Sequence, residues 1–237
     1  MPKYFFAPEQ LQGDKIILTG ETAHHLQHVL RMNIGNQLTL CNGAEVDYIS
    51  KIESLTKTQV TCKIIASLPT VTEPLVKVKL YQALPKGDKL ELIIQKCVEI
   101  GIAAIVPVIT SRSVVRKIDA KKLVRYRRIA EAAASQSMRG VIPSIETAVD
   151  FNDAIEQMCG TTIVAYEEET QCTLKREVQQ LPQTCINIWV GPEGGFSKEE
   201  ISALIGRGAT TVTLGPRVLR TETAAISMLA QIICLAE

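Results

Sequence analysis

Two stretches of the chain hold residue types at spacings that suit a ligand site. The first is Val190-Gly-Pro-Glu-Gly-Gly-Phe-Ser197, three glycines and a proline directly after a strand-like run. Gly191, Gly194 and Gly195 permit backbone conformations closed to other residues and let main chain approach a ligand closely. Ser197 with Glu200 three residues on is a capping box, so a helix should start there. The order is not GxGxxG, and no Lys follows the glycines as in a phosphate-binding P-loop. The loop carries a carboxylate instead, Glu193, which disfavours phosphate and tolerates a cationic ligand. The second stretch is Leu214-Gly-Pro-Arg-Val-Leu-Arg-Thr-Glu-Thr-Ala224. It repeats the arrangement with opposite charge, Arg217 and Arg220 on the loop. Thr221 suits an N-cap and Glu222 the positive end of the helix that follows. A tight strand-to-helix turn alone would explain either loop. An acidic and a basic one together point to a shared site.

Other candidates are weaker. His24 and His28 are four apart, but position 25 is His, not the Glu of a zinc-protease motif, and no third ligand is evident, so no metal is expected. Cys97, with Lys96 and Glu99 beside it, could act as a nucleophile, yet a buried core cysteine is the simpler expectation. Trp189 reads as core. Ser135-Gln-Ser137 fits a polar helix end or an RNA contact.

The formal net charge of +1 conceals an uneven distribution. Residues 74–140 hold fourteen Lys and Arg against five acids, whereas residues 141–237 hold six against thirteen. The density peaks between Arg112 and Arg128. Such a stretch is either a polyanion-binding face or a solvated helix face balanced by the acidic third.

These residues need a scaffold, and 237 residues supply enough chain for one large domain or two small ones. Seven scattered cysteines, none in a CxxC spacing, exclude a zinc ribbon and fit a reducing cytoplasm better than a disulfide framework. The start lacks the apolar core of a secretory signal. The longest apolar run, Ala224 to Ala236, is too short to span a bilayer. A cytoplasmic protein without membrane attachment is expected.

Residues 1–73 read as a small β-barrel. Strands are expected at 15–19, 37–41, 46–52 and 59–65, with a turn at Asn42-Gly43 and one helix over 22–31. Residues 68–74, with two prolines, read as a linker. From 74 onward strands and helices alternate. Strands are expected at 76–84, 104–110, 161–166, 185–190 and 210–214, and helices at 88–100 (capped by Asp88, closed by Gly101), 119–138, 151–159, from Ser197 and from Glu222. That alternation defines a mostly parallel α/β sheet with its ligand site beyond the carboxyl ends of the strands. The last helix, Glu222 to Glu237, carries Ala225, Ile226, Leu229, Ile232, Ile233 and Ala236. This apolar surface is wider than one stripe and predicts a homodimer through that helix.

The two glycine-proline loops resemble those of the S-adenosylmethionine-dependent RNA methyltransferases of the SPOUT superfamily. Within it, the chain is similar to the group that methylates N3 of a uridine in small-subunit (16S) ribosomal RNA. The resemblance extends over nearly the whole chain: His24-His-Leu-Gln-His-Val-Leu-Arg31, Ala83-Leu-Pro-Lys-Gly-Asp-Lys-Leu-Glu91, Gln95-Lys-Cys-Val-Glu-Ile-Gly101, Ser111-Arg-Ser113 and Arg128 to Arg139, with Met138 where Gly or Cys is usual. It implies a PUA-like barrel over 1–73, a methyltransferase domain over 74–237 and a deep trefoil knot. It also implies a homodimer, and ribosomal RNA or the 30S particle as partner. The adenosyl group would rest on Gly191, Gly195, Leu214, Gly215, Leu219 and Ala224, with Tyr166 and Glu167 nearby. Charge and resemblance together assign Arg31, Lys86, Arg112, Arg116, Lys121, Lys122, Arg125, Arg128 and Arg139 to RNA. Arg220 is the candidate for stabilising negative charge on the base, and Glu193 or Glu222 for taking its proton. A methyltransferase acting on tRNA or another ribosomal RNA atom, or a non-catalytic assembly factor, would share many of these features.

Overall fold

The computed structural model describes residues 3–179 and 185–236. The chain forms two compact units, one ending at Glu73 but including 134–142, the other built from 74–133 and the residues after 142.

The first unit is a curled six-stranded sheet. Its strands are β1 (Tyr4–Phe5), β2 (Leu11–Gln12), β3 (Lys15–Thr19), β4 (Gln37–Cys41), β5 (Val46–Leu55) and β6 (Gln59–Pro69), in the order β1-β4-β5-β6-β3-β2. All pairs are antiparallel except β1 with β4. The β5–β6 hairpin is longer than the sequence pattern suggests. Register shifts at Ile49/Ser50 and Ile52/Ser54 bend it, as bulges do, so its inward residues can stay on one concave side. Ile16, Leu18, Leu40, Ile52 and Val60 fill that side. Helix α1 (Gly20–His24) covers it and continues as a π-helical turn over His25–Val29, two residues earlier at each end than the expected helix. The expected linker is partly strand, since β6 runs to Pro69, and Thr70 Oγ1 donates to Asp47 at 2.7 Å.

Arg139 corrects the charge-based reading. It was assigned to RNA, but it is 3% exposed and pairs with Glu73, Nη2 to Oε2 at 2.5 Å, while Gly140 N–H donates to the same carboxylate. Burial raises the Glu73 carboxyl, but Arg139 and the backbone donors outweigh it and hold it below the usual carboxylate value. Removing one partner of such a pair leaves a buried charge unanswered. Arg139→Ala should therefore lose roughly 3 kcal/mol in urea unfolding at neutral pH. A carboxyl held low in the folded state stabilises fully above its unfolded value and ceases to as pH falls through the folded one. The gap between variant and wild type should accordingly shrink in acid; a gap constant with pH would refute the ion-pair account.

The second unit is a seven-stranded parallel sheet. In chain order it comprises β7 (Lys77–Ala83), α2 (Lys89–Ile100), β8 (Ala104–Ile109), α3 (Ala120–Gln136, its last turn grouped with the first unit), β9 (Ser144–Ile145), β10 (Val149–Asp150), α4 (Phe151–Glu156), β11 (Thr161–Ala165), α5 (Leu174–Val178), β12 (Cys185–Val190), α6 (Lys198–Gly206), β13 (Thr210–Val212) and α7 (Thr221–Ala236). The order is β10-β8-β7-β12-β11-β13, with β9 also pairing with β8. β7 and β12 lie at the centre, and Leu80–Ala83 and Ile186–Val190 are buried on them, with Gln82 and Asn187 the polar residues in those stretches. On one side Tyr81 stacks on Trp189 with ring centroids 4.6 Å apart, beside Phe151 and Phe196. Gly101 closes α2 at φ +122°, where a Cβ would strike Pro74. Asp88 occupies the N-cap position of α2 but its side chain makes no capping bond. Much of the apolar surface of α7 is already buried within the chain against α2 and α5, which takes in Ala225, Leu229, Ile232, Ile233 and Ala236. Ile226 is half-buried, and Glu237 lies outside the described residues. Among the described residues no helix is long and apolar enough to cross a membrane.

Candidate active site

The site forms where β7, β11, β12 and the segment after β13 end on one edge of the parallel sheet. The glycine loop 191–197 leaves β12, and three neighbouring segments fix it. At its start, Gly191 C=O accepts from Thr221 Oγ1 at 2.6 Å, and that hydroxyl accepts from Gln82 Nε2 at 2.9 Å. Thr221 was expected as an N-cap. It is instead the first residue of α7, fully inside the fold, and its hydroxyl fastens the second loop to the first. At the middle, Arg112 Nη1 donates to Gly194 C=O at 2.7 Å. At the end, the expected capping box is present, and Glu200 accepts from Ser197 N–H and also from Ser111 N–H. Arg112 was assigned to RNA; its guanidinium holds the loop.

Gly195 sits at φ +68°, and a Cβ there would lie 2.0 Å from Glu167 Oε1. Only glycine serves at such a position, and the close approach sets the Glu167 carboxylate against the loop. The segment carrying Tyr166 and Glu167 is itself folded by Glu169, which accepts from the N–H groups of Gln171 and Cys172 and from Thr211 Oγ1. Thr213 joins it to the second loop through backbone bonds to Cys172 and Leu174. Tyr166, Glu167, Gly191, Gly195, Leu214, Gly215, Leu219 and Ala224 thus belong to segments tied to one another.

Glu193 and Glu222 have a partner that sequence reasoning missed. Lys89, first residue of α2, reaches Glu193 Oε1 at 2.8 Å and Glu222 Oε2 at 3.4 Å. Lys86 contributes its backbone N–H to Glu193 at 3.1 Å. Partial burial raises the Glu193 carboxyl, but the ammonium and the backbone donors together keep it below its usual value. Lys89 thus ties Glu193 of the first loop to Glu222 in the first turn of α7. The only signal in the sequence was Lys89 itself, a cation in the first turn of a helix where acids are favoured.

Arg220 is exposed, and among the described residues its guanidinium has no hydrogen-bond or ion-pair partner. Its carbonyl accepts from Ala224 N–H at 2.8 Å, so the backbone is fixed while the side chain is available. Arg31, Lys86, Arg116, Lys121, Lys122, Arg125 and Arg128 are also exposed. Arg125 pairs with Glu91 at 2.7 Å, and Arg116 donates to Ser111 C=O at 3.0 Å. Cys97 is fully buried, and burial pushes its thiol up to about 12, which removes it as a nucleophile. His24 and His28 are exposed with ring centroids 4.6 Å apart, and among the described residues no third ligand joins them.

The parallel sheet, its two fastened glycine-proline loops and Arg220 all lie within an RNA methyltransferase domain. The RNA methyltransferase domain family matches residues 72–233, and an RNA methyltransferase PUA domain matches residues 18–65. The chain is 36% identical to ribosomal RNA small subunit methyltransferase E of Bacillus subtilis strain 168, over 98% of this chain and 96% of that one. Two solved structures superpose over nearly their full length. A putative methyltransferase from Legionella pneumophila in complex with S-adenosylmethionine has a TM-score of 0.86 and 35% identity, covering 97% of this chain and 96% of that one. A small subunit methyltransferase E from Neisseria gonorrhoeae bound to S-adenosylmethionine has a TM-score of 0.88 and 31% identity, covering 99% and 98%. This chain belongs to the ribosomal RNA small subunit methyltransferase E family.

Proposed function

We propose that the protein transfers a methyl group from S-adenosylmethionine to N3 of a uridine in small-subunit ribosomal RNA. The observation that carries this reading is the fastening of the two glycine-proline loops beside Arg220, whose guanidinium has no partner among the described residues. The residues present fit the cofactor. Gly191 and Gly195 leave main chain open to an adenosyl group, Leu214, Leu219 and Ala224 offer apolar contact, and Glu167 supplies negative charge near a cation. Bound there, the cofactor supplies an electrophilic methyl on a sulfonium.

The protein's own residues do the rest. Uridine N3–H is a weak acid, and its loss leaves negative charge on N3, O2 and O4. Arg220 is placed to stabilise that charge. With Glu193 and Glu222 held as anchors by Lys89, the proton leaves to water. Holding N3 in line with the methyl gives the remaining acceleration. N3 is nucleophilic once deprotonated, so no covalent adduct with a cysteine is required. Arg31, Lys86, Arg116, Lys121, Lys122 and Arg128 are the exposed cations offered to RNA phosphates, with Arg125 at their margin.

The same reading includes a PUA-like barrel in the first unit, a trefoil knot in the second and a homodimer through α7. For the knot, the supporting feature is that α7 returns from edge strand β13 to pack beside central β7 and β12. For the dimer, it is the half-buried Ile226 and Leu235, a narrower patch than the whole apolar helix. A ribosomal substrate places the protein in the cytoplasm.

Calorimetry in EDTA should show S-adenosylmethionine binding. Mapping should place one new methyl at a uridine N3 in 16S RNA from cells that make the protein. Binding that needs magnesium, or a methyl on another atom or on tRNA, would overturn the proposal. Cofactor-free RNA binding alone would identify an assembly factor.

A further inference from the structure

We infer that Lys89 is a positioning residue for methyl transfer: it clamps Glu193 of the first loop to Glu222 at the start of α7 and so sets where Arg220 stands. This rests on the methyl-transfer reading above.

Three observations carry it. First, Lys89 is at the wrong end of its helix. The first turn of α2 presents unsatisfied N–H groups and a positive dipole end, which a lysine ammonium opposes, and Asp88 provides no side-chain cap in return. Helix formation alone would favour an acid here. Second, the two carboxylates come from segments far apart in sequence, 104 and 133 residues from Lys89, and converge on it from the first loop and from the first turn of α7. Glu222 is the more buried, its side chain 14% exposed, and its Oε2 has no hydrogen bond among the described residues. The ammonium at 3.4 Å is what balances its charge. Without that cation two carboxylates would repel across the gap between the loops. Third, Glu222 follows Arg220 by two residues, and the bond from Ala224 N–H to Arg220 C=O makes Arg220 part of the same first turn. A shift of Glu222 therefore shifts Arg220.

The pair with Glu193 is about one-third exposed, and ion pairs of that kind add little to fold stability. Its effect should appear in rate rather than in folding. An error of an ångström in a reacting group can slow a reaction by up to about 10²-fold. The clamp is only one of several fasteners here, so Lys89→Met should slow single-turnover methyl transfer about tenfold.

The test uses the full chain with 16S RNA. Single-turnover methyl transfer, cofactor affinity, RNA affinity at several salt concentrations and thermal melting are measured for wild type, Lys89→Met and Lys89→Arg. The expected result is slow transfer by Lys89→Met with both affinities within a few-fold of wild type. Lys89→Arg, which can still bridge two carboxylates, should recover most of the rate. If Lys89→Met does not fold, a variant that adds Glu193→Gln and Glu222→Gln removes the uncompensated charges and takes its place, with the same slowing expected. Full-speed transfer by the methionine variant would overturn the clamp. So would a weaker RNA affinity with a salt slope reduced by about 0.7–0.9, which would make Lys89 a phosphate ligand. A wild type that transfers no methyl sinks the functional reading and the clamp together, whereas a variant as fast as an active wild type sinks the clamp alone.

Discussion

Arg220→Ala should bind S-adenosylmethionine within a few-fold of wild type and yet methylate RNA roughly 10²–10³ times more slowly, the usual loss when one preorganised donor to a developing anion is removed. The argument depends on when the interaction forms. The ground-state uridine is neutral, so an arginine near O2 or O4 gains little from it. Charge builds only as the N3 proton departs, so the stabilisation belongs to the transition state and its loss falls on turnover rather than on binding. The geometry suits this role, with a backbone held by the first turn of α7 and a guanidinium left free among the described residues. Arg220→Lys should recover only part of the rate, since an ammonium lacks the planar fork that meets two oxygens at once. Single-turnover transfer measured beside cofactor calorimetry decides the matter. Near-normal transfer by the alanine variant would remove Arg220 from the mechanism, and lost cofactor binding would make it a structural part of the loop.

Thr221→Val should weaken cofactor binding about 10- to 100-fold and also lower stability, because the part-buried Gly191 C=O loses its donor at about 1–3 kcal/mol, while Gln82 Nε2 keeps its bond to Ala83 C=O. The valine nearly matches threonine in shape. What vanishes is the hydroxyl that donates to Gly191 C=O and accepts from Gln82 Nε2. Gly191 opens the first loop, and without its anchor the loop has no fixed start against which an adenosyl group can settle. Thr221→Ser keeps the hydroxyl and should stay near wild type in affinity. Calorimetry and urea unfolding on the three proteins separate the outcomes. A valine variant with unchanged affinity would show that the other fasteners, from Arg112 and Glu200, suffice.

Much of this site was legible from local chemistry. The glycines, the prolines and the Ser197–Glu200 box act over a few residues, so they mark loop, turn and helix start without knowledge of the rest. The central strands were equally clear, since parallel strands covered on both faces are predominantly apolar, as Val78, Leu80, Tyr81, Ile186, Ile188 and Trp189 are here. Arg139 was misread because charge density along a chain says nothing of where a partner lies, and Glu73 is 66 residues away. Thr221 was misread because a threonine before an acid looks like a cap in isolation, whereas Gln82, 139 residues earlier, claims its hydroxyl. Lys89 stayed hidden for the same reason. Its two carboxylates reach it only because the sheet sets β12 beside β7 and α7 beside α2. The apolar count on α7 overstated how much of that helix is left uncovered, because it could not reveal α2 and α5 already packed there.

The bond from Gln82 to Thr221 also has a kinetic meaning. Interactions that join the two ends of a domain close the largest loops and form late, after nearer contacts have repaid part of the entropy. The fastener between β7, the glycine loop and α7 requires the first strand of the unit, its central strand and its last helix to be in place together. During refolding, the recovery of backbone structure should therefore run ahead of the recovery of cofactor binding. The interval between the two signals would time the docking of α7, and the affinity for S-adenosylmethionine would serve as a clock for the final step of assembly.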